Sequence, residues 1–272
     1  MPGNSAAQHK VTVWNGHVQL NFQVKGSGPA LVYFHPAAGM RWDPFLDELA
    51  KSHTIYAPEF PGTTSGNPYD IHKVDDLGDA VLIYEEAIRS LGLKRPAAIG
   101  QSFGGMIALE IAAAYPEIFS SLTVLDPVGL WRDEAPVVNW VAAAPNELPG
   151  LLFRHPDSEA VQAALAMPAD RETAIQATAQ MIWNLGATGK FVWPIPDRGL
   201  GKRLHRITAP TLIIWGDLDA VISSSYAHFL GGKIAGSRVE IIDDCGHVPQ
   251  VEKCAETLSI VDKFLNRQSE PV

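Results

Sequence analysis

Residues 97–109 read AAIGQSFGGMIAL, a serine set among glycines between two apolar runs. Glycine weakens strands and helices alike, so Gly100, Gly104 and Gly105 mark a place where a side chain would obstruct the backbone. The run AAIG (97–100) reads as a short buried strand, and GMIALEIAAAYP (105–116) as a helix closed by Pro116. Few residues remain between them for a sharp reversal, which forces the apex toward a strained conformation. Nothing bulky fits two residues before or after that apex, and Gly100 and Gly104 meet the requirement. The turn projects the Ser102 hydroxyl beyond the strand and sets the N–H of Phe103 at a helix N-terminus, suited to stabilising an oxyanion. G-x-S-x-G in a strand-to-helix context is the pattern of a nucleophilic serine.

Outward from this turn the chain alternates short apolar runs with helical stretches. ALVYF (30–34), HTIYAP (53–58), SLTVLD (121–126), TLIIWG (211–216) and RVEIID (238–243) read as further strands. Helical spacing marks residues 42–50, 75–92, 224–234 and 249–266, with Gly92 ending the second. An Asn15-Gly16 pair joins two β-rich runs, KVTVW and HVQLNFQV, as a hairpin, after a start expected to be disordered. Nearly continuous apolar strands alternating with helices predict an α/β fold with a parallel sheet covered on both faces.

The alternation stops between residues 130 and 207, where a proline-punctuated, helix-leaning segment carries Trp131, Trp140, Trp183 and Trp193. Residues 1–129 and 208–272 then form the core, and 130–207 a helical lid at the strand ends, where open α/β sheets bind ligands.

A serine hydroxyl needs a base, and the base an orienting acid. Among the histidines, His247 follows RVEIIDDCG directly and precedes a helix, so it lies past the carboxyl end of the last strand, at the edge that carries Ser102. Two carboxylates reach that edge. Asp219, in WGDLDAV, follows the strand TLIIW and is the first choice; Asp126, in VLDPVG, is the alternative acid. Asp217 reads as a turn residue, and Cys245 as a small buried side chain and not a second nucleophile.

Composition narrows the partners. The 272 residues carry a net charge of −9, and no basic cluster offsets it, which argues against nucleic acid and anionic membranes. The opening residues MPGNSAAQHK lack the apolar stretch of a signal peptide, and no run approaches a membrane span. The two cysteines, Cys245 and Cys254, make neither a disulfide framework nor a metal-ligand spacing. A cytoplasmic enzyme acting on a small molecule, with no metal and no cofactor, is expected; oligomeric state is not legible.

Gly100-Gln101-Ser102-Phe103-Gly104, WGDLD with Asp219 and CGHVPQVE with His247 together resemble the α/β-hydrolase superfamily over nearly the whole chain. The resemblance implies an eight-stranded, mostly parallel sheet, with Ser102 as nucleophile, His247 as general base and then acid, and Asp219 orienting the imidazole. It implies an oxyanion hole from the N–H of Phe103 and one from the loop after ALVYF. There the family commonly has His-Gly-x-x-Gly and this chain has His35-Pro36-Ala37-Ala38-Gly39. Proline has no N–H, so Ala37 becomes the second donor. Substrate contacts are expected from His35, Trp131, Trp140 and Trp183.

Serine at the elbow sets the chain apart from haloalkane dehalogenases and epoxide hydrolases, which use a carboxylate there. Carboxylic ester or lactone hydrolysis is the default. Ser-Phe-Gly-Gly and Cys-Gly-His-x-x-Gln-x-Glu also resemble carbon–carbon hydrolases of aromatic ring-cleavage products, although those typically carry asparagine where this chain has Gln101. Perhydrolase or haloperoxidase-like activity, and a small-molecule receptor role, share the same fold and triad.

Overall fold

The computed structural model of the chain describes residues 6–65, 67–195 and 197–269. Its apolar runs form one eight-stranded sheet: β1 (Ala7–Val13), β2 (Val18–Gly26), β3 (Ala30–Phe34), β4 (Thr54–Pro58), β5 (Ala97–Gln101), β6 (Ser121–Leu125), β7 (Thr211–Gly216) and β8 (Arg238–Ile242). The order across the sheet is β1-β2-β4-β3-β5-β6-β7-β8. Both pairings of β2 are antiparallel and all the others parallel. The disordered start expected before Lys10 falls partly on residues 1–5, which lie outside the described residues. Ala7–His9 belong to β1, because backbone pairing with Phe22–Val24 needs no apolar side chains.

Ten helices are described: α1 (Pro44–Leu49), α2 (Leu77–Ser90), α3 (Phe103–Ala114), α4 (Leu148–Leu152), α5 (Glu159–Leu165), α6 (Arg171–Val192), α7 (Leu200–Arg203), α8 (Ser225–Lys233), α9 (Pro249–Glu252) and α10 (Cys254–Ser269). None of them is long and apolar enough to cross a membrane. The strands alternate side chains between two cores, as the two-residue period of a pleated sheet requires. Val32 and Phe34 of β3 and Ile213 and Trp215 of β7 pack with α2, α3 and α8. Leu31 and Tyr33, and Leu212 and Ile214, face the other way onto α1 and α10. Both faces are dry, which is why the strands read as unbroken apolar runs.

Local chemistry sets the helix ends. The Asp76 carboxylate accepts the Asp79 N–H to open α2, and Gly92 at φ +69° follows its end. One helix expected over residues 249–266 is two, broken at Lys253, whose φ of −127° and ψ of 45° leave the helical region.

Between β6 and β7 the chain forms α4–α7 and two short 3-10 turns. Side chains of α6 reach the loops after β3 and β4: Asn184 Nδ2 donates to the Ala38 carbonyl at 2.9 Å, Thr188 Oγ1 to that of Ala37 at 3.1 Å, and Trp183 Nε1 to that of Gly62 at 2.9 Å. At the other end, the His247 N–H donates to the Leu152 carbonyl at 2.9 Å. The helical segment therefore lies across the carboxyl edge of the parallel strands.

Candidate active site

The chain turns at Ser102 with φ +51° and ψ −113°, a conformation foreign to a non-glycine residue. Helix α3 starts at once, at Phe103, two residues before the helical run reads from sequence, because the strained residue completes the reversal alone. The flanking glycines have different reasons. A Cβ on Gly100 would lie 2.4 Å from the Gly104 carbonyl oxygen, across the turn. A Cβ on Gly104 would lie 2.0 Å from the carbonyl oxygen of Phe34, so this glycine admits the neighbouring strand β3 and not the turn itself.

The parallel register Phe34–Gly100, Gln101–Leu125 and Gly216–Ile242 aligns the strand ends, and the loops leaving them converge. Ser102 Oγ–H donates to His247 Nε2 at 2.8 Å, and His247 Nδ1–H donates to Asp219 Oδ2 at 2.7 Å. All three side chains are buried. The second Asp219 oxygen accepts the N–H groups of Val221 and Ile222 at 2.8 and 3.1 Å. Three donors thus hold Asp219 as a carboxylate in a dry site, which fixes the imidazole tautomer with its proton on Nδ1. The bare Nε2 is then free to take the Ser102 proton.

Asp126, the alternative acid, reaches the same place but does not take the imidazole N–H. It follows β6 at φ +45° and is fully buried, and its Oδ1 accepts the Gly216 N–H at 3.0 Å. Burial above all, and then the charge of Asp219, hold its carboxyl well above the usual carboxylate range.

Among the described residues, neither the Phe103 N–H, at the start of α3, nor the Ala37 N–H has a hydrogen-bond partner. Pro36 shapes the Ala37 loop by acceptance alone: its carbonyl takes the Gly39 N–H at 3.1 Å, and Gly39 turns at φ +101°. Cys245 is fully buried, and desolvation pushes its thiol pKa up, which keeps it unreactive.

The expected substrate contacts divide. His35 is not available: its Nε2 accepts the Phe60 N–H at 2.9 Å and its Nδ1–H donates to the Pro36 carbonyl at 2.7 Å. Burial lowers its pKa, so it stays neutral as a pin between the loops after β3 and β4. Trp131 donates its indole N–H to Asp133, and Trp183, 38% exposed, donates to the Gly62 carbonyl. An indole N–H needs an acceptor, and both tryptophans find theirs in surface loops. Trp140 alone of the four lines the cavity under the helical segment, facing Met106, Val128 and Phe191 one turn along α3 from Ser102.

Two contributors escaped the sequence reading. Gln101, inside the serine motif, is buried and donates its Nε2–H to the His247 carbonyl at 2.9 Å, tying the nucleophile turn to the base. Glu252 accepts the N–H groups of Gly246, Arg154 and His155, at 2.9, 2.8 and 3.1 Å, and so joins the His247 loop to the segment above it. Both lie inside the quoted motifs, but the His247 carbonyl that Gln101 meets and the Arg154 and His155 amides that Glu252 meets are distant in sequence, and no spacing rule shows them.

Residues 31–259 match the family model described as the alpha/beta hydrolase family. The chain belongs to that family. A hydrolase from Comamonas testosteroni named for 2-hydroxy-6-oxo-6-phenylhexa-2,4-dienoate is 25% identical, over 92% of each chain. A monoacylglycerol lipase from Xenopus laevis is also 25% identical, over 89% of this chain and 76% of its own. Among solved structures, a membrane phospholipase A superposes with a TM-score of 0.78 at 23% identity, covering 98% of this chain and 88% of that one. Naproxen esterase from Bacillus subtilis gives 0.76 at 18% identity, covering 96% and 91%. These alpha/beta hydrolases share the fold, an eight-stranded, mostly parallel sheet flanked by helices.

Proposed function

We propose that the protein is a serine hydrolase that cleaves a carboxylic ester or lactone of a small, largely apolar substrate through an acyl-enzyme on Ser102. The observation that carries this reading is the buried relay Ser102–His247–Asp219, at 2.8 and 2.7 Å. Ser102 Oγ attacks the substrate carbonyl as its proton passes to His247 Nε2. The oxyanion is met by the N–H groups of Phe103 and Ala37, and Asp219 steadies the imidazolium. Collapse breaks the acyl C–O bond, and His247 returns the proton to the leaving alkoxide. Water, deprotonated by His247, then attacks the acyl-enzyme and releases the acid and free Ser102.

Residues 130–207 act as the lid, and Trp140 with Met106 and Phe191 supplies the apolar wall against which the acyl group rests. The cavity there is ≈ 10 Å³, room for about one water, and none of Ser102, His247 and Asp219 lines it, so an acyl group on Ser102 reaches that wall only if the lid moves.

The second reading, carbon–carbon hydrolysis, draws its support from the Comamonas relative, which matches over 92% of both chains. A panel of aryl esters of increasing acyl length, lactones and a vinylogous diketo acid, run with the wild type and Ser102→Ala, separates the two. Ser102-dependent ester or lactone turnover is expected. Cleavage of the diketo acid with no ester or lactone turnover would replace the first reading by the second.

A further inference from the structure

Asp126 brings to the site a carboxyl that the relay leaves unused. Its Oδ1 accepts the Gly216 N–H at 3.0 Å, while its Oδ2 is buried with no hydrogen-bond partner among the described residues. An unpaired buried carboxylate oxygen is costly, so the site should contain something that resolves it. A carboxyl oxygen of Asp126, one of Asp219 and a ring nitrogen of His247 lie within 4.8 Å of one another. Two carboxylates that close in a dry site do not both ionise; one keeps a proton.

The hydrogen bonds decide which. Asp219 accepts from His247 Nδ1, Val221 N and Ile222 N, whereas Asp126 accepts from Gly216 N alone. The better-supplied carboxylate carries the charge, and the proton sits on Asp126. A proton on Oδ2 turns the orphaned acceptor into a donor, and the neighbouring acceptor is Asp219.

We propose that Asp126 is a positioning residue of the triad: as a neutral acid it donates an Oδ2–H hydrogen bond to the Asp219 carboxylate and fixes the orientation in which Asp219 meets His247. The proposal rests on the triad reading above.

The surroundings favour the neutral form. After burial, Asp219 and then Glu252 of α9 act to keep Asp126 protonated, and only the Gly216 N–H acts against them. Asp217, after β7, is taken up by the Cys245 N–H at 3.1 Å, and the Cys245 thiol is itself pushed up by burial. Lys253, between α9 and α10, faces Asp244 at 3.7 Å. His247 already directs its Nδ1–H to Asp219.

The test compares Asp126→Asn, Asp126→Ala and Asp219→Asn by kcat, KM and the pH dependence of kcat/KM. Asparagine tolerates the positive φ of this position, keeps the acceptor for Gly216 and offers an N–H where the acid offers O–H. Alanine removes the donor. Asp126→Ala should lower kcat about 10- to 100-fold, as expected for losing a hydrogen bond to a charged group, with KM little changed. Asp126→Asn should restore kcat to within about fivefold of wild type and leave the acid limb of the profile in place. Infrared spectra at neutral pH should show a protonated carboxyl band that Asp126→Asn removes.

Three results would overturn the proposal: wild-type kcat in Asp126→Ala, absence of that infrared band, or an acid limb moved down by about 1–3 units in Asp126→Asn. Such a shift would follow from loss of a real negative charge beside the base. If alanine prevents folding, the asparagine variant and the infrared band decide alone. Failure of the triad reading looks different: Asp219→Asn would stay active while Asp126→Asn lost activity.

Discussion

Arg203→Met should destabilise the protein by about 2–3 kcal/mol at neutral pH and by much less in acid. Glu110 is a buried carboxylate on α3, the helix that begins at the nucleophile turn, and Arg203 lies at the end of α7 in the helical segment. Arg203 makes three hydrogen bonds to the Glu110 oxygens, at 2.6, 2.9 and 3.1 Å. Removing one partner of a buried ion pair costs about 3–5 kcal/mol. The Arg203 side chain is 39% exposed, so water already screens the pair and the figure falls to about 2–3 kcal/mol. For a chain of this size that corresponds to a drop in Tm of roughly 4–12 °C.

The pH dependence carries the mechanism. Burial raises the Glu110 pKa; Arg203 opposes the rise and Asp197 adds to it. Without Arg203 the folded-state value climbs further above the unfolded one. The folded form then holds a proton that the unfolded form has lost, so stability falls as pH rises through that window. The deficit of Arg203→Met should therefore be nearly absent below the ordinary carboxylate range, about pH 4, and complete above the raised folded value. Urea unfolding across pH measures it, and adding Glu110→Gln should recover more than half of the loss at neutral pH. A deficit independent of pH would show that Arg203 acts through packing and would refute the stranded-charge argument.

Gly104→Ala should abolish soluble, active protein, because its Cβ would sit 2.0 Å from the Phe34 carbonyl oxygen, whereas Gly186→Ala on α6 meets nothing within 4 Å and should be at least as stable as wild type. Soluble yield and thermal unfolding of the two check this directly. Gln101→Leu fills the same space but leaves the His247 carbonyl without its donor; a stability loss of about 1–3 kcal/mol and a kcat reduced about tenfold are expected. Wild-type kcat in that variant would remove Gln101 from the account.

The fold was legible because a sheet covered on both faces writes each strand as a short apolar run: TLIIWG (211–216) became β7 residue for residue. The nucleophile turn was legible for a partly local reason: Gly100 answers to a contact across the strand-to-helix reversal, whereas Gly104 answers to the Phe34 carbonyl of β3, a neighbour that sequence does not show. His247 and Asp219 were singled out by position, each just past a strand end, and the structure brings their side chains within 2.7 Å. What sequence left open depends on proximity across the fold. Choosing between Asp219 and Asp126 required the imidazole N–H, which goes to Asp219 at 2.7 Å. The tryptophans could not be sorted by residue type: Trp140 faces the cavity, while Trp183 serves a loop carbonyl. That both ring nitrogens of His35 are taken by backbone partners, at Pro36 and Phe60, appears only once two loops have met.

The central claim is that Ser102 is a nucleophile activated by His247. A fluorophosphonate probe followed by intact-mass analysis and peptide mapping tests it without knowledge of the substrate. The account predicts a single adduct on Ser102, none in Ser102→Ala, and labelling slowed by several orders of magnitude in His247→Ala. Labelling that survives in Ser102→Ala, or that maps to another residue, would contradict it.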